Sequence, residues 1–542
     1  MKLPLVSEMR ELERKTMEDY GIPSLILMEN AGLGTVSMAE KLLGSCEDCF
    51  CPIFIGPGNN GGDGLVIGRQ LHQRGCQPLF FFLQPPEKFK GDALENLKIV
   101  EKLHLPFHII DSTEQVGTIQ DTISQYESDG LRCYAIIDAI FGIGLMRDIT
   151  GHIADIIRCI NSLKLREMAP VIAVDIPSGL DTDTGEIRGV SVRADYTATY
   201  GCAKPGHFLF GNKALTGHLE VIDVCIPPEV VSQSKINTEL ADLEVLRENC
   251  TRLCRQSASH KGTNGHTFIL AGSTGSTGAA VLAGRGALRA GTGLLTLGSL
   301  AENNMILQSA VPEAMTMLLH GDPSHLSIKD WPQIKENLDR FSCIVTGPGM
   351  GQHADTAELV LKIYHEAHLP VVLDADALNI LAAHRKTLGT PSGPRIFTPH
   401  PGEMGRILGK PTAEIVKNRL GAAEQGCLLF QNDEYETVML IKGSGTIICN
   451  SEGRCFINTT GNPGMGTGGM GDVLSGIIGA FLSQGMDPFP ATTTAAYLHG
   501  KAADILFEHM GPGFYASEVT DKLPEARHTL LQHLYGTDLF LS

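Results

Sequence analysis

Short apolar runs that stop at Gly, Pro or Asp, alternating with longer stretches of helical period, constrain this chain most. In the first part the runs fall at 52–55, 78–83, 134–137, 171–174 and 197–200. In the second they fall at 267–270, 343–346, 370–373, 395–398 and 438–441. Strands buried on both faces read as continuous apolar segments, and parallel neighbours need a crossover helix between them. The pattern therefore predicts an α/β fold, built twice. The length of 542 residues agrees, being too great for a single core. Pro227-Pro228 closes the first set, and a mixed-charge stretch without a glycine motif follows. We place one domain at 1–228, a linker at 229–249 and a second domain at 250–535. Ligands in such folds sit at the carboxyl ends of the strands.

Composition narrows the partners. The chain is 43% hydrophobic and 19% charged, as globular proteins are. A formal net charge of −18 repels nucleic acid and anionic lipid, so neither is expected as a partner. An anionic small molecule is not excluded, because backbone N–H groups bind phosphate without Lys or Arg. The 14 cysteines are scattered along the chain and read as reduced thiols of a cytoplasmic protein. Cys46, Cys49 and Cys51 lack the nearby second pair that a zinc site needs. The opening MKLPLVSEMRELERK has no apolar signal region, and no run of 18 apolar residues occurs.

Three motifs carry the first domain. Gly56-Pro57-Gly58-Asn59-Asn60-Gly61-Gly62-Asp63-Gly64 follows a strand and precedes the helical stretch 65–71. Glycines there permit positive φ and can aim several N–H groups at a phosphate. The redox dinucleotide reading fails, because the acidic residue it requires further on is replaced by Gln84-Pro85-Pro86. Asp138-Ala139-Ile140-Phe141-Gly142-Ile143-Gly144 and Asp175-Ile176-Pro177-Ser178-Gly179 each put an Asp at a strand end. Such a carboxylate can bind a cation or ribose, act as acid or base, or merely cap a helix.

The second domain carries the strongest signal, Gly461-Asn462-Pro463-Gly464-Met465-Gly466-Thr467-Gly468-Gly469-Met470-Gly471-Asp472. It precedes a helical stretch and can form an anion hole for a transferring phosphoryl group. Asp472 then stands ready to accept a proton from an attacking hydroxyl. No Walker A motif occurs, so this is not P-loop chemistry. Lys442-Gly443-Ser444-Gly445-Thr446 suits nucleotide phosphates or ribose. His400, held between two prolines, either contacts substrate or satisfies backbone. Gly347-Pro348-Gly349-Met350-Gly351 and Ala271-Gly272-Ser273 permit a close ligand approach.

Val6-Ser7 with Met9-Arg10, Leu27-Met28-Glu29-Asn30-Ala31-Gly32, GNNGGDG, DAIFGIG and DIPSG together resemble the NAD(P)H-hydrate epimerase family. The resemblance implies a Rossmann-like three-layer domain. It implies substrate contacts at Asn59, Asn60, Gly61, Gly62, Asp63, Gly142, Ile143, Gly144, Leu145, Met146, Arg147, Asp148 and Asp175, and a potassium ion on Asn60, Asp138 and Ser178. His260-Lys261-Gly262, AGS with Gly278-Ala279-Ala280, GPGMG, Asp374-Ala375-Asp376-Ala377-Leu378, TPHPGEM, KGSGT and the long glycine run resemble the ADP/ATP-dependent NAD(P)H-hydrate dehydratases of the ribokinase-like fold. That implies substrate contacts at Ala280, Gly349, His400, Glu403 and Asp472. Nucleotide contacts are implied at Lys442, Gly443, Ser444, Gly445, Thr446, Asn462, Gly464, Gly466, Thr467, Gly468, Gly469 and Gly471. Magnesium, ADP or ATP, and a homo-oligomer are implied as well. Gly466 stands where that family commonly has Ala, and Met470 where Thr is common.

The expected function is repair of hydrated NADH and NADPH. One domain interconverts the R and S hydrates, and the other dehydrates the S hydrate with release of phosphate and AMP or ADP. Asp472 is the expected base; Asp175 is an acid/base or only a ligand. The rival reading is a ribokinase-like small-molecule kinase fused to a non-catalytic nucleotide-binding module.

Overall fold

The structure is a computed structural model that describes residues 1–255 and 257–536. The chain divides into two units, Lys2–Ile236 and Asn237–Ser542, with Met1 grouped with the latter. Both are α/β, as the alternation of runs predicts.

The first unit holds a parallel sheet. Its main path runs Phe107–Ile109, Gln77–Phe82, Cys49–Ile55, Ile136–Ala139, Val171–Val174, Tyr196–Tyr200, His218–Ile222. The short strand Arg132–Cys133 pairs with Cys49–Ile55 off this path. One sheet face packs Ile53, Phe80 and Ile137 beneath Val36, Leu65 and Leu97. The other packs Phe54, Phe81 and Ile136 beneath Ile123, Ile156 and Ile160. Helices therefore cover both faces, which makes the expected three layers. The strand order reverses between Cys49–Ile55 and Ile136–Ala139. That switch point opens a crevice at the strand ends, where Asn60 and Asp138 lie.

The second unit's sheet runs Met315–Leu319, Leu294–Leu300, His266–Leu270, Cys343–Thr346, Val371–Leu373, Arg395–Phe397, Thr437–Ile441, all parallel. Thr446–Asn450 and Cys455–Asn458 continue it as antiparallel strands, and Thr238–Leu240 closes it parallel to the last. The stretch 229–249, read as a linker from its mixed charge, is structured and shared. Pro228–Ser232 is a helix of the first unit, while Thr238–Leu240 and the helix Leu243–Asn249 belong to the second. Leu246 is fully buried there, which explains why this short amphipathic segment is ordered. Gln256, near the expected boundary, lies outside the described residues.

The cysteine expectation needs one correction. Cys449 and Cys455 face each other across paired strands and form a disulfide. Cross-strand neighbours lie close enough for this without backbone movement. The other 12 cysteines are free thiols, and most are buried. No described helix is long and apolar enough to cross a membrane.

Candidate functional sites

In the first unit the glycine loop behaves differently from its expectation. The helix begins at Asn59, not near residue 65, so Gly61, Gly62 and Gly64 lie inside its first turns. None of Gly56, Gly58, Gly61, Gly62 and Gly64 has positive φ. All but Gly58 serve close packing instead. A Cβ would lie 1.9 Å from the Ile140 carbonyl oxygen at Gly56, 1.8 Å from the Gly56 carbonyl oxygen at Gly61, and 2.5 Å from Ala139 Cβ at Gly64. This packing seats the helix N-terminus, with its unpaired N–H groups, against the ends of two strands.

Asp138 is fully buried beside that terminus. Its Oδ1 accepts from Ser178 Oγ at 2.6 Å and its Oδ2 from Ser178 N at 2.8 Å. Burial pushes its carboxyl up to about 6 against those hydrogen bonds. No Lys or Arg of the described residues is paired with it. Asn60 is also buried, its side-chain nitrogen has no partner, and its Oδ1 lies 2.9 Å from where a Cβ of Gly142 would be.

Asp175 ends its strand at φ 65, in the left-handed region that strains a residue with a side chain. Neither it nor Asp138 caps a helix. Its Oδ1 accepts from Lys204 Nζ, from Thr199 Oγ1 at 3.0 Å and from Tyr200 N at 3.2 Å. The carboxylate's donors all converge on this one oxygen. Burial alone would raise its carboxyl, but the Lys204 ammonium and these hydrogen bonds hold it below the ordinary value. Asp63 goes the other way. Burial, then the charges of Asp175 and Glu13, push it well above the carboxylate range. His207 locks the loop: its Nδ1 accepts from Lys204 N at 3.0 Å and its Nε2 reaches the Asp175 carbonyl at 3.0 Å. Burial holds His207 neutral, with its pKa lowered to about 4.

The second unit repeats the device with other residues. Asp374 is 1% exposed, and its Oδ1 accepts from Lys442 Nζ at 2.8 Å, its Oδ2 from Ser475 Oγ at 2.7 Å. Ala375 after it has φ 47. Asp472 stands in the first turn of the helix Met470–Ser483. Burial and the charge of Asp374 raise it to about 7, against the pull of Lys442. Gly469 caps this helix at φ 88, and Gly461 has φ 102, so here the glycine run does use left-handed backbone. A Cβ at Gly466 would lie 3.3 Å from the Pro463 carbonyl oxygen, a tight contact, while Gly468 faces open space. Asp504 braces the run, accepting from Gly461 N at 3.1 Å and Asn462 Nδ2 at 2.9 Å.

The profile for the NAD(P)H-hydrate dehydratase family matches residues 267–525, and that for the YjeF-related protein N-terminus matches 24–206. Over 529 residues the chain is 38% identical to the bifunctional NAD(P)H-hydrate repair enzyme Nnr of Moorella thermoacetica, across 97% of this chain and 96% of that one. The chain belongs to the bifunctional NAD(P)H-hydrate repair enzymes. It is 32% identical to the relative of that name from Thermofilum pendens, over 98% of this chain and 97% of that one. The relative from Escherichia coli is 31% identical, over 95% and 92%.

Within this repair-enzyme chain, the expected residues fall unevenly. Asn60, Gly61, Gly62 and Asp63 are buried at the helix start, while Asn59 is exposed. Gly142, Ile143 and Leu145 are half-buried; Gly144, Met146, Arg147 and Asp148 are exposed. In the second unit Gly349 has φ 59, and its carbonyl accepts from Ser273 Oγ at 2.8 Å. Ala280 is 1% exposed and packs into the core, so its methyl supports the loops from beneath. Both alternatives for His400 have a basis. Its Nδ1 accepts from Gly402 N at 3.0 Å and caps a helix, yet the side chain is 51% exposed and lies 3.4 Å from Glu403 through Nε2. The helix Pro401–Leu408 buries Glu403, which is raised chiefly by burial. In the loop 442–446, Gly443 and Gly445 have positive φ and the buried Arg419 donates to the Ser444 carbonyl.

Glu13, Lys204 and His207 were not singled out from the sequence, nor were Asp504 and the role of Asp374. Lys204-Pro205-Gly206 after a strand was the available signal for the first set. Asp504 sits mid-helix in Pro488–Met510, where nothing in spacing marks it.

Proposed function

We propose that this bifunctional repair enzyme epimerises hydrated NADH and NADPH in its first unit and dehydrates the S hydrate, using ADP or ATP, in its second. The observation that carries the reading is the raised carboxyl of Asp472 beside an Asp374–Lys442 ion pair at a glycine-rich helix start. A carboxyl near 7 is half ionised at neutral pH and matched to general-base work.

In the dehydratase, Asp472 takes the proton of the hydrate's hydroxyl. The hydroxyl oxygen attacks the terminal phosphorus of ADP or ATP, the anhydride bond breaks, and AMP or ADP leaves. N–H groups of the helix start and the Lys442 ammonium stabilise the phosphoryl charge. The ring nitrogen then expels phosphate, and loss of a proton from the neighbouring carbon re-forms the double bond. Magnesium would accompany the nucleotide phosphates, as it usually does. Asp472 accepts no hydrogen bond among the described residues, which leaves its oxygens open toward the hydrate's hydroxyl.

In the epimerase, the protonated Asp63 and the ionised Asp175 suit opposite roles. Carboxyls whose surroundings push them apart supply an acid and a base. Lys204 keeps Asp175 charged. A potassium ion fits Asn60, Asp138 and Ser178: a buried carboxylate without a cationic partner needs positive charge, and the orphaned Asn60 amide can turn its oxygen toward it. A cytoplasmic location and a homo-oligomer belong to the same reading.

The test is absorbance of reduced nicotinamide with an epimer mixture of NADH hydrate, ADP or ATP, and the full chain. Conversion of both epimers supports both halves. Conversion that stops at one epimer removes the epimerase. A stable phosphorylated product instead of NADH revives the kinase reading.

A further inference from the structure

Away from these carboxylate–lysine pairs, the second unit gathers His325, His353 and Asp355, each offering one ligand atom within 4.8 Å of the others. His325 lies in the loop after Met315–Leu319. His353 caps the helix Ala354–Glu366, and Asp355 stands in its first turn.

We propose that His325, His353 and Asp355 bind one zinc-class divalent ion that ties this loop to the helix start. Three features of the cluster point to a metal rather than to an ion pair. Asp322 Oδ1 lies 3.1 Å from His325 Nδ1, and a carboxylate only accepts, so the proton belongs on Nδ1. The Ser324 hydroxyl is committed to that carboxylate, donating to it at 2.7 Å. His325 Nε2 is therefore the lone-pair nitrogen, and it is buried without a hydrogen-bond partner. It faces Asp355 Oδ2 at 3.6 Å, too far for a hydrogen bond. That separation is near the roughly 3.3 Å between ligand atoms around a tetrahedral zinc with bonds of about 2.0 Å. A carboxylate behind one nitrogen of a ligating histidine is the usual support of such ions. Finally, the His353 ring lies 3.7 Å from that of His325, centroid to centroid. A second proton on His325 would satisfy Asp355 alone; a shared ion takes His325 Nε2, Asp355 and His353 Nδ1 together, the last giving up the 3.3 Å cap contact it accepts from Asp355 N. Two imidazoles and a carboxylate suit zinc, cobalt or nickel better than magnesium.

Cobalt(II) titration of untagged full-length protein in excess magnesium tests this, followed by zinc competition. One cobalt ion per chain with a tetrahedral visible spectrum is expected, displaced by zinc. His353→Gln, at an exposed position, and His325→Ala should each weaken zinc binding at least tenfold, and Asp322→Asn by about 10–100-fold. Absence of binding, a thiolate charge-transfer band, or equal affinity in His353→Gln would overturn the site.

Discussion

The two units solve one electrostatic problem with different residues. Each buries an aspartate against a lysine at a strand end, Asp175 with Lys204 and Asp374 with Lys442, and sets an unpaired aspartate nearby. They differ in depth. Lys204 is 1% exposed and Lys442 22%. Asp63 is pushed far above the carboxylate range, so it holds its proton; Asp472 reaches only about 7, so it can release one. On the proposed function, the same arrangement would supply an acid where burial is complete and a base where it is partial. The glycine runs follow suit. Gly56, Gly61 and Gly64 of the first unit pack tightly at the strand ends, while Gly468 of the second, between more crowded neighbours, faces open space.

Breaking the second arrangement should have the largest effect. Asp472→Asn should lower dehydratase kcat by about 10²–10⁴-fold while leaving nucleotide binding and epimerisation intact, measured on each half-reaction. Lys204→Met comes next. It strands Asp175 as a buried charge, which should cost about 3–5 kcal/mol in denaturant unfolding of the first unit and abolish most epimerase turnover. Lys442→Met should cost less stability, because its side chain is partly exposed where that of Lys204 is fully buried. The glycines sharpen the contrast further. Gly64→Ala would meet Ala139 and Ile55 side chains and should destabilise by about 1–3 kcal/mol, whereas Gly468→Ala should leave the melting temperature unchanged. His400→Ala should give the smallest change. It loses the helix cap, about 1 kcal/mol, and raises the dehydratase KM a few-fold.

The ten apolar runs each fall on a strand, because a strand buried on both faces tends to read as a continuous apolar segment. The buried parallel strand Leu294–Leu300, interrupted by Thr296, Gly298 and Ser299, was not legible. Nor were edge and hairpin strands: His218–Ile222 is half exposed, and Thr446–Asn450 with Cys455–Asn458 is broken by Ser451-Glu452-Gly453-Arg454. Asp472 was legible because a carboxylate beside a glycine-rich helix start is local in sequence. Lys204 was not, since its partner Asp175 lies 29 residues away and only the fold joins them. The role of the GNNGGDG glycines was misread for a related reason. Close helix–strand contact and left-handed backbone both select glycine, and spacing alone does not separate them.

The most direct test of the acid-and-base contrast is kcat/KM against pH for the two half-reactions of one protein, in saturating potassium. A base works ionised, so dehydration should fall about tenfold per unit as the pH drops below about 7, the value of Asp472. Epimerisation should not share that limb, because Asp63, pushed well above the carboxylate range, keeps its proton and Asp175, held below it, stays ionised. A shared limb near 7 in both reactions, or none in the dehydratase, would contradict the account.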